Sequence, residues 1–247
     1  VAGGDGSLHA VVAALHRRNE LKSAVLGLLP LGTGNDFARH IGIPLDVEEA
    51  ARVVVHGRVR PVDLIVDEVG QIVVNSVHLG AGAEAARHGA DWKTRLGSLG
   101  VGKVNLGKLG YPLGALRSAI APPTLRLHVE VDGQVVNDLN RPVLMLAIGN
   151  GATVGGGTAL TPQADARDGK ADVMISRAVG PLARLGYVGG LMVGRHHQRG
   201  DVVYLRGREV SVSGEQFWLS ADGEISGPER QRTWRLEPSA YSMVLPD

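Results

Sequence analysis

The apolar and polar positions of the first 61 residues alternate between helical spacing and short continuous runs. Leu8–Leu15 carries apolar residues three and four apart, which predicts a helix, and Ala24–Leu31 is a short apolar run that proline and glycine close. A second helix is predicted from Asp36 to His40, and a third over Val47–Val55. This order of loop, helix, strand, loop and helix predicts an α/β unit.

From Arg60 onward the pattern changes to short runs of Val, Ile and Leu that glycine, aspartate and asparagine separate. Asp132-Gly133 between two apolar runs predicts a two-residue hairpin, because both residues tolerate positive φ. Two helical stretches interrupt this region, at Leu106–Ile120 and Pro181–Val193. The predicted strands are Val62–Val66, Gln71–Val77, Thr124–Val131, Val143–Ile148, Ala171–Ser176, Val202–Leu205, Glu209–Val212 and Trp218–Ala221.

The two patterns predict a two-lobe fold of class α/β followed by β. Residues 1–61 form a partial α/β lobe, and residues 62–238 form a β-sandwich or barrel. We place the boundary at Gly57–Pro61, and the apolar segment in residues 239–247 is a candidate to return to the first lobe. Only Val1 and Ala2 precede the first glycine loop, where a buried strand is expected, so we expect that the chain lacks its natural start.

Composition narrows the classes of partner. The chain has 26 basic and 25 acidic residues and a formal net charge of +1, which offers no broad basic surface for nucleic acid. It has no cysteine, which excludes disulfides and cysteine nucleophiles and fits a reducing cytoplasm. Its apolar stretches are shorter than the ~20 residues that span a bilayer. We therefore expect a cytoplasmic protein whose contact with lipid is peripheral.

Two glycine-rich loops lie close together near the start of the chain. Gly3-Gly4-Asp5-Gly6-Ser7 is the first, and Pro30-Leu31-Gly32-Thr33-Gly34-Asn35-Asp36 is the second. Glycine lets the backbone approach an anion, so their N–H groups could converge on phosphate, whereas an aspartate among them would face Mg²⁺ or water. Either loop alone reads as a tight turn, but together they indicate a site for a metal-bound nucleotide.

Two other glycine patterns are weak evidence for a nucleotide site, because a structural role explains each of them at least as well. Gly97–Val104 matches an ATP-binding P-loop except at its last position, but a polar segment precedes it where a strand is required, which favours a linker. Gly80–Ala85 is a loose dinucleotide fingerprint without the acidic residue that ribose recognition needs, so close packing of a strand on a helix explains it equally well.

Two acidic segments are candidates for chemistry. Asp222 and Glu224 follow an apolar strand at a spacing of two, which would turn both carboxylates to one face as an acid/base pair. A hairpin tip with a solvated Glu224 is the alternative, and the residues alone leave both open. Asp165–Lys170 reads from composition as an Asp-Gly turn, and His196-His197 as a solvated pair.

Together these motifs resemble the catalytic domain of the diacylglycerol kinase family, which includes bacterial lipid kinases and sphingosine and ceramide kinases. The resemblance spans nearly the whole chain. The segments that carry it are the two glycine loops, Phe37-Ala38-Arg39, Asn75–Ala85, Leu109-Gly110-Tyr111, Gly149-Asn150-Gly151 with Gly155-Gly156-Gly157, Pro162-Gln163-Ala164 with Asp168–Val173, and Asp222-Gly223-Glu224.

The resemblance implies a nucleotide lobe related to that of NAD kinases and phosphofructokinases, a β-sandwich lobe, and an active site in the cleft between them. It also implies roles for individual residues. The ATP phosphates would be bound by Gly3, Gly4, Asp5, Gly6 and Ser7, with Asp5 organising Mg²⁺, and the rest of the nucleotide by Thr33, Gly34, Asn35 and Asp36. Asp222 or Glu224 would be the catalytic base. A structural Mg²⁺ would be held by the Asp168 carboxylate and by carbonyls near Asp165 and Lys170.

The chain departs from the family pattern beside the first loop. Ser7 stands where threonine is commoner, and His9 and Ala10 replace an Asn-Glu pair, which puts contacts of that glutamate near the nucleotide in doubt. The resulting hypothesis is an ATP- and Mg²⁺-dependent kinase that phosphorylates a diacylglycerol-like or sphingoid lipid at a membrane surface, with a homodimer left open. The alternatives are a kinase for a soluble alcohol, like NAD kinase, and an inactive module that binds nucleotide or lipid.

Overall fold

The structure is a computed structural model that describes residues 1–84 and 124–247. The predicted helix at Leu106–Ile120, the P-loop-like segment Gly97–Val104 and the family motif Leu109–Tyr111 lie outside the described residues. Among the helices that are described, none has the length and apolar character needed to cross a bilayer.

The helices predicted within the described residues are confirmed. They are α1 Asp5–Arg17, α2 Asp36–His40, α3 Val47–His56 and α4 Pro181–Met192. At the start of α3 the Asp46 carboxylate accepts the N–H groups of Glu48 and Glu49, both at 3.0 Å, which is the bonding expected of an N-cap aspartate. Pro181 begins α4, where its missing N–H costs no hydrogen bond.

The described strands are β1 Ala2–Gly3, β2 Val25–Leu26, β3 Leu29–Pro30, β4 Arg58–Asp67, β5 Ile72–Val73, β6 Ser76–Gly80, β7 Leu127–Val131, β8 Gln134–Asn137, β9 Met145–Gly149, β10 Thr153–Val154, β11 Thr158–Ala159, β12 Ala171–Ser176, β13 Val202–Gly207, β14 Glu209–Ala221 and β15 Glu224–Leu245. Most of them belong to a single sheet in the order β13-β12-β9-β6-β14-β15-β4-β5. In the same sheet β7 pairs with β14 and with β8, and β2 pairs with β15. Two small pairs, β1 with β3 and β10 with β11, lie outside this sheet.

The strand β15 was predicted only at its end. Its 22 residues include the charged stretch Glu229–Arg232, which interrupts the apolar alternation that marks a strand. In the structure Arg232 is buried and bonds Asp67 at 2.8 Å, so the charge is paired inside the sheet. The turn Asp132-Gly133 is confirmed: its residues have φ of 49° and 77°, as a type I′ turn requires.

Within the described part of the chain, three apolar clusters stabilise the fold, because the long strands bury both faces. On β9, Leu146 and Ile148 face the sandwich core around Trp234, whereas Met145 and Ala147 face the helix α4. On β4, Val62 and Leu64 face the cluster formed by α1, α2 and α3. Burial on both faces explains the nearly continuous apolar runs that predicted these strands.

The end of β15 lies against the first lobe. Ser242 and Met243 pair with β2 in parallel, while Tyr241–Leu245 pairs with β4, and Met243 packs in the cluster of the helical lobe. The predicted boundary at residues 57–61 falls at the start of β4, a strand that contributes to both lobes, and stays a prediction.

A buried carboxylate on β4 ties two loops to the sheet. Asp63 is buried, and its oxygens accept the N–H groups of Gly169 and Ser239, each at 2.7 Å. We expect Asp63→Asn to lower the free energy of unfolding by about 2 to 4 kcal/mol, because the new amide would turn a donor toward a backbone N–H. Urea denaturation measures the change.

The matched control is Glu237→Gln, at an exposed position of β15. It should change the free energy of unfolding by less than about 0.5 kcal/mol. An Asp63→Asn protein as stable as the control would contradict the account of this carboxylate.

Candidate active site

The two glycine-rich loops are in direct backbone contact. The first loop follows β1 and leads into α1, where the carbonyl of Gly4 accepts the N–H groups of Ser7 at 3.0 Å and Leu8 at 3.1 Å. A Cβ atom added to Gly4 would lie 2.9 Å from the Cα of Gly32 in the second loop, so only glycine allows this approach. The two loops therefore form one surface, with Gly6, Ser7 and Thr33 exposed on it.

Asn35 fixes the shape of the second loop rather than presenting its amide to solvent. It is buried with φ of 51°, in the left-handed region that asparagine tolerates. Its Nδ2 donates to the carbonyls of Gly32 at 2.8 Å and Pro30 at 3.3 Å, and its Oδ1 accepts from the Gly32 N–H at 2.9 Å. The side chain is thus fully engaged within its own loop.

Asp5 joins the first loop to the second. Its two carboxylate oxygens accept the N–H groups of Phe37 at 3.0 Å and Asp36 at 3.1 Å, at the start of α2. The sequence predicted that this aspartate faces Mg²⁺ or water; in the structure it faces the backbone of α2, and its assignment to Mg²⁺ stays a prediction. Gly34 lies against the same carboxylate, since an added Cβ would be 3.2 Å from Asp5 Oδ2.

Asp36 joins the helical lobe to the sandwich. Its carboxylate accepts the N–H groups of Gly156 at 2.8 Å and Gly157 at 2.7 Å, in the turn between β10 and β11. Both glycines have positive φ, at 87° and 112°, so their amides converge as a small anion site. The Asp36 carboxylate occupies that anion site, and its two hydrogen bonds hold the turn against α2.

Asp222 lies at the tip of the β14–β15 hairpin, but its side chain points inward. Its φ of 48° and that of Gly223 at 89° form a hairpin turn, as the alternative interpretation predicted. The carboxylate nevertheless accepts the N–H groups of Val74 at 2.7 Å, Asn75 at 2.8 Å and Ser76 at 3.1 Å. A hairpin turn and a buried carboxylate therefore occur together at Asp222.

His9 connects this hairpin to the helix that leaves the first glycine loop. Its Nδ1 lies 2.8 Å from Asp222 Oδ2. The hydrogen bond with Asp222 raises the pKa of His9; burial opposes this, and the charges of Asp222 and Glu224 add to the increase while Arg17 reduces it. Counting that of His9, the Asp222 carboxylate accepts four hydrogen bonds. A carboxylate has about four acceptor positions, so those of Asp222 are filled.

Glu224 stands beside this pair with an exposed side chain. It begins β15 opposite Ala221, and its charge acts on His9, so the three groups share one region of the site. The structure thus brings α1 and the Asp222-Gly223-Glu224 hairpin together. Sequence reasoning noted His9 only as a departure from the family pattern, and a lone histidine on a helix carries no signal of such a partner.

A second histidine is buried beneath the hairpin. His78 lies on β6 opposite Ser220 of β14, and neither ring nitrogen has a hydrogen-bond partner among residues 1–84 and 124–247. Burial lowers the pKa of His78 to about 4, with the charge of Asp222 opposing. His78 is therefore held neutral next to the buried Asp222 carboxylate.

The loop proposed for a structural Mg²⁺ is closed by protein groups. Asp168 forms an ion pair with Arg206 and accepts the Lys170 N–H at 3.0 Å, while Asp165 accepts the N–H of Arg167 at 3.1 Å. Within residues 1–84 and 124–247 no group of three or more histidine or acidic side chains is arranged to hold a metal. In this arrangement Arg206 occupies the Asp168 carboxylate, and a Mg²⁺ bound to that carboxylate would have to displace it. The assignment of a structural Mg²⁺ to Asp168 and to carbonyls near Asp165 and Lys170 stays a prediction.

The architecture and this site define the class: a two-lobe fold of the diacylglycerol kinase and NAD kinase type. Residues 1–66 match the family model described as the diacylglycerol kinase catalytic domain, and residues 75–245 match that of the YegS C-terminal NAD kinase beta sandwich-like domain. The chain belongs to the family of diacylglycerol kinases and YegS-like lipid kinases.

Individual relatives agree with this assignment. The chain is 31% identical over 271 positions to a Xanthomonas oryzae protein named "Probable lipid kinase YegS-like", covering 100% of this chain and 78% of the relative. It is 29% identical over 228 residues to the diacylglycerol kinase of Bacillus subtilis, covering 92% and 70%. A crystal structure of a diacylglycerol kinase from Bacillus anthracis superposes with a TM-score of 0.74 at 25% identity, covering 99% of this chain and 76% of that one.

The contact between His9 and Asp222 yields a prediction about protonation. In Asp222→Asn we expect the pKa of His9 to fall below its wild-type value, because the hydrogen bond and the negative charge are lost while burial remains. Titration of the His9 ring protons by NMR measures it. Asp138→Asn, in the turn after β8, is the control and should leave the pKa unchanged; equal values in all three proteins would refute the contact.

The burial of His78 predicts a loss of stability in acid. The unfolded chain takes up a proton on this residue near pH 6.5, whereas the folded chain does so only near pH 4. The free energy of unfolding should therefore fall between these values by up to about 3 kcal/mol from this residue. In His78→Leu the free energy of unfolding should fall less steeply between pH 6.5 and pH 4 than in the wild type, whereas the exposed-site variant His56→Gln should match the wild type. Thermal or urea unfolding at several pH values measures these slopes. Equal slopes for the wild type and His78→Leu would contradict the prediction.

Proposed function

We propose that this lipid kinase family member transfers the γ-phosphate of ATP to the hydroxyl of a diacylglycerol-like or sphingoid lipid. The observation that carries the proposal is the 2.8 Å contact between His9, on the helix that follows the glycine loop, and Asp222 of the acidic hairpin. It links the candidate phosphate surface to the candidate acid/base pair, as transfer between two bound substrates requires.

The nucleotide is assigned to the surface formed by the two glycine loops. Gly3–Ser7 precede and begin the 13-residue helix α1, and a helix N-terminus of this kind favours phosphate through its dipole and through first-turn N–H groups other than that of Ser7, which bonds the Gly4 carbonyl. Mg²⁺ bound with the triphosphate would neutralise charge that develops on its oxygens. Asp5 and Asp36 support this surface by fixing the backbone of α2 and of the glycine turn at 155–157.

Glu224 is assigned as the proton acceptor. Asp222 has its acceptor positions filled by three backbone N–H groups and His9, so it would have to give up a hydrogen bond to take a proton. Glu224 is exposed and retains its oxygens for a hydroxyl group. In the reaction the lipid oxygen bonds the γ-phosphorus, the bond from that phosphorus to the bridging oxygen of ADP breaks, and the hydroxyl proton passes to Glu224. Asp222 and His9 position the hairpin that carries it.

A kinase for a soluble alcohol is the second candidate. It is favoured by the match of residues 75–245 to a domain description that names the NAD kinase β-sandwich. The two functions differ in the acceptor and share the phosphate chemistry, so the geometry described above serves either. A module without catalytic activity is less consistent with an exposed Glu224 beside the His9–Asp222 pair.

The test is transfer of radiolabel from ATP by the protein expressed from its complete gene. The acceptors are diacylglycerol, monoacylglycerol, phosphatidylglycerol, sphingosine and NAD, each presented with Mg²⁺. Label in one of the lipids supports the proposal. Label in NAD and in none of the lipids would replace it with the second candidate, and binding of ATP without transfer would leave the inactive module.

The proposed base yields a kinetic prediction. Glu224→Gln should lower kcat for transfer by about 100-fold or more, since an amide cannot accept the hydroxyl proton, while the Kd for ATP stays within about twofold of wild type. Steady-state kinetics and equilibrium binding of ATP measure the two effects. Glu237→Gln, exposed on the same strand, should keep wild-type kcat. If Glu224→Gln retained wild-type kcat, the proton acceptor would be another group.

A further inference from the structure

The helix α4 presents apolar side chains to solvent on one face. Leu182 is 84% exposed, Leu185 56%, Met192 80% and Val193 69%. Residues at these positions follow helical spacing, so together with exposed Gly189 they form one continuous stripe. Surface helices normally turn charged residues to this side, and we call this stripe the outer face of α4.

The opposite side of α4 already has its partner in the fold. Tyr187 is buried, and Ala183 and Leu191 pack with it against the β9–β12 surface, in the apolar cluster that contains Met145 and Ala147. The helix is therefore apolar on both sides, which is typical of a helix that is covered on both sides. Contiguous exposed apolar surface of this kind marks a site of contact with a protein or a membrane.

The charge around the outer face favours a membrane with anionic lipids. Residues 173–200 contain four arginines and neither aspartate nor glutamate, although the whole chain is nearly neutral. Arg199 pairs with Asp201 just beyond this range, at 2.7 Å, and adds no net charge, so Arg195 supplies positive charge beside the outer face. Arg195 is exposed and follows directly after Met192 and Val193 at the end of the helix. Apolar side chains flanked by arginine suit the boundary between lipid tails and anionic headgroups, where the guanidinium reaches phosphate.

We propose that the outer face of α4, with Arg195 at its end, is the surface on which this protein docks on an anionic bilayer. α4 also packs near β11, in the hairpin whose Gly156 and Gly157 bind Asp36 of the candidate active site. In a docked protein, the β10–β11 hairpin would therefore lie between α4 on the bilayer and the candidate nucleotide surface. That docking brings the active site close to a lipid substrate rests on the proposed lipid kinase function. Binding of α4 to the bilayer does not depend on that function.

The test is co-sedimentation of the full protein with vesicles of phosphatidylcholine mixed with phosphatidylglycerol, and with vesicles of phosphatidylcholine alone. The double variant Leu182→Ser/Met192→Ser should bind the mixed vesicles at least tenfold more weakly. Arg195→Gln should weaken binding to the mixed vesicles and leave binding to neutral vesicles unchanged. The control double variant Val135→Ser/Leu139→Ser removes two exposed apolar side chains of another hairpin region and should bind like wild type.

Kinetics and oligomeric state separate this inference from the proposed function. With a short-chain lipid acceptor in solution, the Leu182→Ser/Met192→Ser protein should keep wild-type kcat and lose rate only on vesicles. Vesicle binding that depends on α4 supports the docking surface even if no lipid is phosphorylated. Wild-type vesicle binding by this variant would overturn the inference, and a simultaneous change from dimer to monomer in sedimentation would assign the face to a second copy of the chain.

Discussion

The organisation of this protein depends on buried and half-buried carboxylates that accept backbone N–H groups from distant segments. Asp5 holds the start of α2, Asp36 holds the glycine turn of the sandwich, and Asp222 holds Val74 to Ser76 between β5 and β6. A charged acceptor forms stronger hydrogen bonds than a neutral one, and a backbone N–H left without a partner in such a place is costly. The Asp36 contact joins the two lobes, whereas those of Asp5 and Asp222 fix segments within the first lobe and within the sandwich.

This constraint changes how the family motifs are understood. Acidic residues in glycine-rich motifs suggest metal ligands and bases, yet here Asp5, Asp36 and Asp222 each bind backbone, and Asp168 binds Arg206. Supporting carboxylates of this kind hold the loops in place so that exposed groups can act on a substrate. Glu224, two residues after the buried Asp222, is the acidic residue of its motif that remains open to solvent.

Local structure was predictable because it depends on neighbouring residues. The helices at Asp36–His40 and Val47–His56 and the turn at Asp132-Gly133 follow from spacing, caps and permitted φ angles. The full length of β15 was not, because a salt bridge from Arg232 to Asp67, 165 residues away, compensates for charges that read as a break. The contact between Asp222 and His9 was also not predictable, because the two residues are 213 positions apart and no local sequence pattern indicates that they pair. The apolar outer face of α4 was also hidden, because sequence periodicity does not tell which side of an apolar helix is covered.

A crystal structure of the protein with Mg²⁺ and a non-hydrolysable ATP analogue tests the central claim most directly. The account predicts that the phosphates lie on the N–H groups of Gly3–Ser7, that the terminal phosphate faces Glu224, and that the hydrogen bonds of Asp222 to His9 and to Val74–Ser76 are unchanged. A nucleotide bound away from the glycine loops, or a terminal phosphate directed away from the Asp222-Gly223-Glu224 hairpin, would contradict it.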